Sequence, residues 1–295
     1  MKTKLSERLR NGEIIISDGA LGTMLQAAGL EPGVCPESWN LDYPERVAAI
    51  ARGYADAGSE AVETNTFGAN RFKLAHYGLG NRVTEINRRA VEITREAIGP
   101  DRIVLGSVGP TGVILMMGEV SEEELYEGFR EQSVALAEAG ADVICIETMT
   151  AIDEAVIAVR AAKENTPLEV ICSMTFDKTQ SGEFRTMMGI SPSEMTVALR
   201  SAGADIIGTN CGNGMENMIP IVEEIRRTDP DIPILVHANA GKPHYHDGKN
   251  VFDESPEMTA SFVPRLITAG AACIGGCCGT TPEHIRMIKE KTGLG

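Results

Sequence analysis

Residues Glu138–Thr148 read EAGADVICIET, and the same pattern returns three times: DAGSEAVET at Asp56–Thr64, SAGADIIGTNC at Ser201–Cys211 and TAGAACIGGCC at Thr268–Cys278. In each, a glycine closes an amphipathic stretch, where a helix ends in left-handed backbone. An Ala or Ser then leads into a short apolar run. These runs lack clean polar alternation and fit parallel strands covered on both faces. Four more candidates alternate with the echoes, one before the first and three between them: EIIISDGA from Glu13, RIVLGSVG from Arg102, LEVICSMTF from Leu168 and IPILVHANA from Ile232. Eight strand–helix units in 295 residues match a (β/α)8 TIM barrel, ~250 residues with modest insertions. No Ser/Pro/Gly linker or charge run divides the chain, so 1–295 reads as one barrel. A doubly wound open sheet is the runner-up, disfavoured because no G-x-G-x-x-G follows the first strand.

The helical stretches carry their own punctuation. Ser121 with Glu124 forms a capping box, and Pro192 occupies the first helical position after Ser191. Further amphipathic stretches begin at Pro44, Val83 and Ala151, and TPEHIRMIKEKTG closes the chain. Pro220 and Pro264 fall inside the stretches from Met215 and Ser255, which predicts a kink or a late helix start in both.

The formal net charge is -15 with no basic cluster, which argues against nucleic acid as a partner because phosphate binding draws on Lys and Arg. No apolar run approaches a membrane span of ~18–20 residues. The N-terminal MKTKLSERLRNGEI has no apolar h-region, so the expected compartment is the cytoplasm. There the seven cysteines are reduced thiols, an odd number in keeping with that. Cys145, Cys172 and Cys273 sit inside apolar runs and read as buried small hydrophobes.

In such a barrel, chemistry sits where strands end and loops begin. The ends here are polar: Asp18-Gly19, Glu63 to Thr66, Ser107, Glu147-Thr148, Asn210-Cys211, His237 to Asn239 and Cys277-Cys278. Cys211 ends the sixth strand and Cys277-Cys278 end the eighth. Alternate strands contribute to one interior layer, so these thiols converge across the seventh strand. Adjacent cysteines serving one object need a backbone turn between them, which the flanking glycines permit. Three thiolates suit zinc, and three protein ligands leave a tetrahedral position open, as at a catalytic site. On spacing alone a vicinal disulfide and inert buried thiols stay open. His284 reads as a surface or capping group, and His244 and His246 lie in a loop overhanging the mouth as spare ligands, substrate contacts or exposed groups.

DGALGTMLQ from Asp18, ETNTFGANRFKL from Glu63, IET ending at Thr148, GTNCGNG from Gly208 and GGCCGTTPEHI from Gly275 together resemble the zinc-dependent homocysteine S-methyltransferases. Within that family the chain is most similar to the homocysteine-binding domain of cobalamin-dependent methionine synthase. The resemblance implies a (β/α)8 barrel whose Cys211, Cys277 and Cys278 hold zinc, with the homocysteine sulfur as fourth ligand. It implies that Asp18 and Glu147 receive the amino-acid end, beside backbone N–H groups near Gly19 and Ala20. Asn65 joins the substrate-binding set, and Asn239 resembles an asparagine that fills the open zinc position before substrate arrives. The implied methyl donor is methylcobalamin or another methylated corrinoid on a separate protein or domain. Methionine synthases continue into folate-, cobalamin- and reactivation domains. This chain stops after one barrel, and is either a shortened piece or an enzyme with a separate corrinoid partner. S-methylmethionine and betaine are the alternative donors.

The chemistry is self-consistent. A thiol with a pKa near 8.5 is mostly protonated at neutral pH, whereas a metal-coordinated thiol is deprotonated. Three cysteinates keep a bound sulfur electron-rich, and no general base is needed once the proton has left. The rival reading from another class is a non-catalytic zinc or redox-sensing thiol protein. Such a protein has no need of Asp18 and Glu147 at the same mouth.

Overall fold

The computed structural model describes residues 3–246 and 249–293. Eight parallel strands, one per echo or intervening run, form its centre. They are β1 Ile15–Ile16, β2 Ala61–Glu63, β3 Ile103–Val108 and β4 Val143–Met149. β5 is Glu169–Met174, β6 Ile206–Asn210, β7 Ile234–Ala238 and β8 Ala271–Gly276. Each pairs with its neighbour in chain order from β2 to β8, and β8 pairs with β1. A parallel bridge between Ser17 and Ala61 links β1 to β2, so the sheet closes into the expected barrel.

Both faces of the strands are buried, which explains the missing polar alternation. The inward face follows a period of two. At the amino end it is apolar, with Ile15, Ala61, Leu105, Val143, Ile171, Ile206 and Leu235 in one cluster. Continuing the same alternation, Glu63, Ser107, Glu147, Asn210 and His237 stand on the inward face at the carboxyl ends. The outward face packs against the helices in the larger core.

The amino-end floor is sealed by a helix the sequence reading did not assign, Leu5–Arg10. Leu5 and Leu9 join the inner cluster. The first N–H groups of a helix lack intrahelical partners. Here those of Leu5 and Ser6 donate to the buried Glu169 carboxylate at 2.6 and 3.2 Å.

The expected caps are present. Ser121 and Glu124 cap Glu122–Glu138, and Ser191 with Glu194 caps Pro192–Ala202. The two internal prolines behave differently. Around Pro264 the helix breaks at Phe262, giving Pro256–Ser261 and Val263–Ala269, the restart that was expected. Around Pro220 no late start occurs, because the helix runs unbroken over Met215–Thr228. Pro220 lies early in that helix, so the lost backbone bond is confined near its start. The buried face through Met218, Ile221, Val222 and Ile225 holds the remainder. Among the described residues no helix is long and apolar enough to cross a membrane.

Small residues let β8 approach β1 at the level of the site. A methyl group added at Gly275 would lie 2.5 Å from the Asp18 carbonyl oxygen and 2.9 Å from Ser17 Cβ. We expect Gly275→Ala to destabilise the fold by about 1–3 kcal/mol through overpacking, lowering the thermal midpoint by several degrees. An unchanged midpoint contradicts this close approach.

Candidate active site

Three thiols meet at the carboxyl end of the barrel. Among the described residues, Cys211, Cys277 and Cys278 form the one group of three potential metal ligands, their Sγ atoms within 4.8 Å of one another. β7 sets the meeting point. Cys211 N–H donates to the His237 carbonyl at 2.9 Å, and Cys277 N–H to the Ala238 carbonyl at 2.6 Å. The Cys278 carbonyl accepts from Ala240 N–H at 3.0 Å. The turn needed between the paired cysteines is made by Gly279 at φ 81° and closed by a 3.1 Å bond from Thr280 N–H to the Cys277 carbonyl. Cys211 itself adopts φ 60°, unusual for a residue with a Cβ.

The thiols are electrostatically linked. Hydrogen bonds from Cys277 and then Cys278 pull the Cys211 thiol down to about 3, with a smaller contribution from the Asn239 side chain. Beside that thiolate, Cys278 is pushed up to about 12 and Cys277 well above its ordinary value. A single negative charge is therefore shared, and further charge there needs a cation. The Oδ1 of Asn239 is buried with no hydrogen-bond partner among the described residues, another donor atom unspent beside the trio. This soft donor set fits zinc.

A second cluster stands on the inward face nearby. Asp18 and Glu147 are 2% and 6% exposed, and His237 is 1% exposed. Glu63 approaches His237 Nδ1 at 3.5 Å and receives the Cys145 thiol at 3.6 Å. Asp18 Oδ2 accepts from Glu63 N–H at 2.8 Å. Glu147 Oε1 accepts from Ser107 Oγ at 2.5 Å. Burial drives every carboxyl here upward. Asp18 reaches about 8, with Glu63 as the second cause, Glu63 reaches about 7, and Glu147 rises well above the ordinary range. Burial also lowers His237, so the histidine is a poor counter-ion.

A cavity of about 240 Å³ connects the clusters. Among the described residues its lining includes Gly19, Glu63, Asn65, Glu147 and all three cysteines, but no lysine or arginine, and Asp18, predicted to receive the substrate, is not part of it. It is smaller than the roughly 300–1,000 Å³ of pockets for drug-sized ligands. Larger grooves, such as one of about 530 Å³ lined by Ile219, Arg226 and Arg265, lie on the helical flank and hold no such convergence.

Several sequence-predicted residues need correction in detail. The Ala20 N–H is already spent on Thr280 Oγ1 at 3.0 Å, whereas Gly19 N–H has no protein partner among the described residues. Asn65 lines the cavity, but its Nδ2 donates to the Pro36 carbonyl at 2.8 Å. His284 caps the last helix through Thr281 yet is only 6% exposed, so it is not a surface group. His244 is exposed, 3.6 Å from Asp253, in a hairpin of His244–His246 with Lys249–Val251; the His246 side chain lies outside the described residues. Cys145, Cys172 and Cys273 are buried as expected.

Sequence reasoning placed Glu63, Ser107, Thr148, Asn210 and His237 at strand ends without giving them roles. The inward period of two, anchored on Glu147, could have selected Glu63 and His237. Glu37 was missed altogether. It lines the cavity from the short Pro36–Ser38 helix and accepts from Gly68 N–H at 2.6 Å, with no sequence period to reveal it.

With this geometry in view, the comparisons with known proteins are specific. The family model for homocysteine S-methyltransferase matches residues 15–292. The chain is 32% identical to methionine synthase of Mycobacterium tuberculosis over 93% of its length, and 31% identical to that of Mycobacterium leprae over 97%. It spans only 24% and 25% of those two proteins. In fold it is similar to the metallated homocysteine methyltransferase MmuM of Escherichia coli, with TM-score 0.80 at 24% identity, covering 97% of this chain and 98% of that one. A methyltransferase from Methanosarcina mazei shares the fold at TM-score 0.65 and 13% identity, covering 99% and 98%.

The buried carboxyls predict a pH signature. In the fold Asp18 is raised from 3.8 to about 8, so its ionisation opposes folding progressively across that window. Asp18→Asn keeps the shape and removes the charge. Without ligand, the variant's thermal midpoint should gain on the unaltered protein as pH rises from 4 to 8, then level off. A difference independent of pH contradicts a desolvated Asp18.

Proposed function

This chain belongs to the homocysteine S-methyltransferase family, and from that premise we propose that it methylates the sulfur of homocysteine to give methionine, using zinc held by Cys211, Cys277 and Cys278. One observation carries the reading: three converging thiols share a cavity with buried carboxyls that have no cationic side chain among its lining residues. A ligand with an ammonium at one end and a soft sulfur at the other answers both needs. Bound zinc supplies Lewis acidity that keeps a thiol deprotonated at neutral pH.

The residues divide the work. Glu147 and Glu63, both on the cavity wall, receive the ammonium, and Asp18, bonded to the Glu63 N–H and not among the described lining residues, adds its field from behind them. The ammonium favours the ionised carboxylates, reversing part of their burial penalty. Gly19 N–H faces the carboxylate end, and Asn65 forms the wall rather than a principal donor. Asn239, with its spare Oδ1 near the trio, would serve as a further ligand to the metal in the absence of substrate. Cys211 and the cysteine pair would hold the metal, which would fix the substrate sulfur relative to the mouth, so that only the arriving methyl group must be aligned. The sulfur–methyl bond forms as the bond from methyl to its donor breaks.

The donor in this reading is a methylated corrinoid presented by a separate protein or domain. The likeness to methionine synthases supports it. So does the fact that, among the described residues, the cavity lining offers no basic clamp for a carboxylate-bearing donor such as betaine. Lys242, the nearest candidate by sequence, is exposed and absent from the cavity lining.

The test combines metal analysis with a donor screen. The protein should carry about one zinc per chain, as a three-cysteine site requires, and lose it together with activity in Cys211→Ala. With homocysteine as acceptor, methylcobalamin or a methylated corrinoid protein should outperform S-methylmethionine and betaine. Full activity without metal overturns the zinc reading. Efficient use of S-methylmethionine or betaine with inert methylcobalamin overturns the donor reading alone.

A further inference from the structure

Among the described residues, two that are not glycine adopt positive φ, Thr148 at 61° and Cys211 at 60°. Each directly follows an inward-facing polar residue at a strand end, Glu147 and Asn210. For a β-branched residue such as Thr148 this conformation is an outlier, and it persists only where surrounding contacts over-determine it.

The over-determining group is one side chain. Asn210 is fully buried. Its Oδ1 accepts from Thr148 N–H at 2.8 Å and from Ser173 Oγ at 2.8 Å. Its Nδ2 donates to Thr148 Oγ1 at 2.7 Å and reaches Glu147 Oε2 at 3.5 Å. The carboxamide thus holds the backbone and the hydroxyl of Thr148 together. A carboxylate could not donate to the hydroxyl, and an amine could not accept from the N–H. The Asn210 carbonyl, in turn, accepts from Thr175 Oγ1 at 2.9 Å, and the next residue is Cys211.

We propose that Asn210 is a positioning residue that joins the two ends of the site. Its carboxamide holds Thr148 in the left-handed turn that aims the Glu147 carboxylate, while its backbone delivers Cys211 to the thiol trio. The aiming function rests on the reading that the cavity takes an amino acid; the clamp itself does not.

Asn210→Ala, Thr148→Gly and their combination test it, since glycine adopts positive φ without the strain that needs a clamp. Homocysteine affinity of the zinc-loaded proteins is read by calorimetry, KM and kcat separately by kinetics, and stability by thermal unfolding. Asn210→Ala should weaken homocysteine binding roughly tenfold, the scale of lost bonds around a charged group, with kcat changed less than KM. Adding Thr148→Gly should recover part of that loss, and should shrink the stability cost of Asn210→Ala. Unchanged affinity in Asn210→Ala, or an equal loss with and without Thr148→Gly, overturns the proposal. Should Asn210→Ala fail to fold, Ser173→Ala loosens the same carboxamide. A loss of roughly two- to threefold, again reduced by Thr148→Gly, supports the clamp, and no loss overturns it. If the unaltered zinc-loaded protein binds no homocysteine, the functional reading fails. The unfolding data then decide the clamp alone: strictly additive effects of the two substitutions overturn it, and coupled effects sustain it.

Discussion

Two backbone hydrogen bonds, from Cys211 to the His237 carbonyl and from Cys277 to the Ala238 carbonyl, pin the ends of β6 and β8 to β7. The rest of the site depends on that pinning. Three cysteines far apart in sequence become one donor set because the strand between them offers consecutive carbonyls, one to each side. Barrel closure makes this possible, and close packing of β8 beside Asp18, where Gly275 has no side chain, brings the thiols next to the carboxyl cluster. A methyl group at Gly276 would likewise lie 2.2 Å from Thr280 Oγ1, the hydroxyl that ties the strand-eight turn to Ala20.

The site's electrostatics are those of a receptor kept short of positive charge. Burying Asp18, Glu63 and Glu147 together raises all three, a cost to the empty fold that structural residues would not impose. Three neighbouring thiols behave in the same way, since the first thiolate opposes the next. In the proposed function both clusters become favourable when cations arrive, a metal for one and an ammonium for the other. Stability surrendered at the mouth is thereby converted into selectivity for ligands bearing charge of the right sign at the right end.

Much of this was legible before any coordinates. The glycine-led echoes located four strands, and the Val/Ile runs alternating with them located the other four. Cys211 and Cys277-Cys278 fell on alternate strands, which is enough to bring them together once the barrel is assumed. What was not legible depends on one-residue differences of direction. Whether Glu63 or Thr64 points inward follows only from the strand register, and one step reverses it. The Ala20 N–H looked available because nothing local reveals that Thr280, 260 positions away, accepts it. Asn65 looked like a ligand-facing amide for the same reason, its partner being the carbonyl of Pro36. At Pro220 the helix starts before the proline and continues past it, so of the two expected outcomes the late start does not occur, and the apolar face packs the helix on the barrel. The positive φ of Thr148 and Cys211 has no sequence signature, since neither is the glycine or asparagine that usually announces such a turn.

The central claim is that the thiol trio and the carboxyl cluster serve one ligand, bound by its sulfur and its ammonium together. Zinc-edge X-ray absorption on the metal-loaded protein tests it most directly, by counting sulfur neighbours before and after homocysteine is added, with homoserine as the control that keeps the amino-acid end and lacks the thiol. The account predicts three sulfurs alone or with homoserine, the number of cysteines in the trio, and one more with homocysteine. A sulfur count below three in the ligand-free protein, or one that does not change when homocysteine saturates the site, would contradict it.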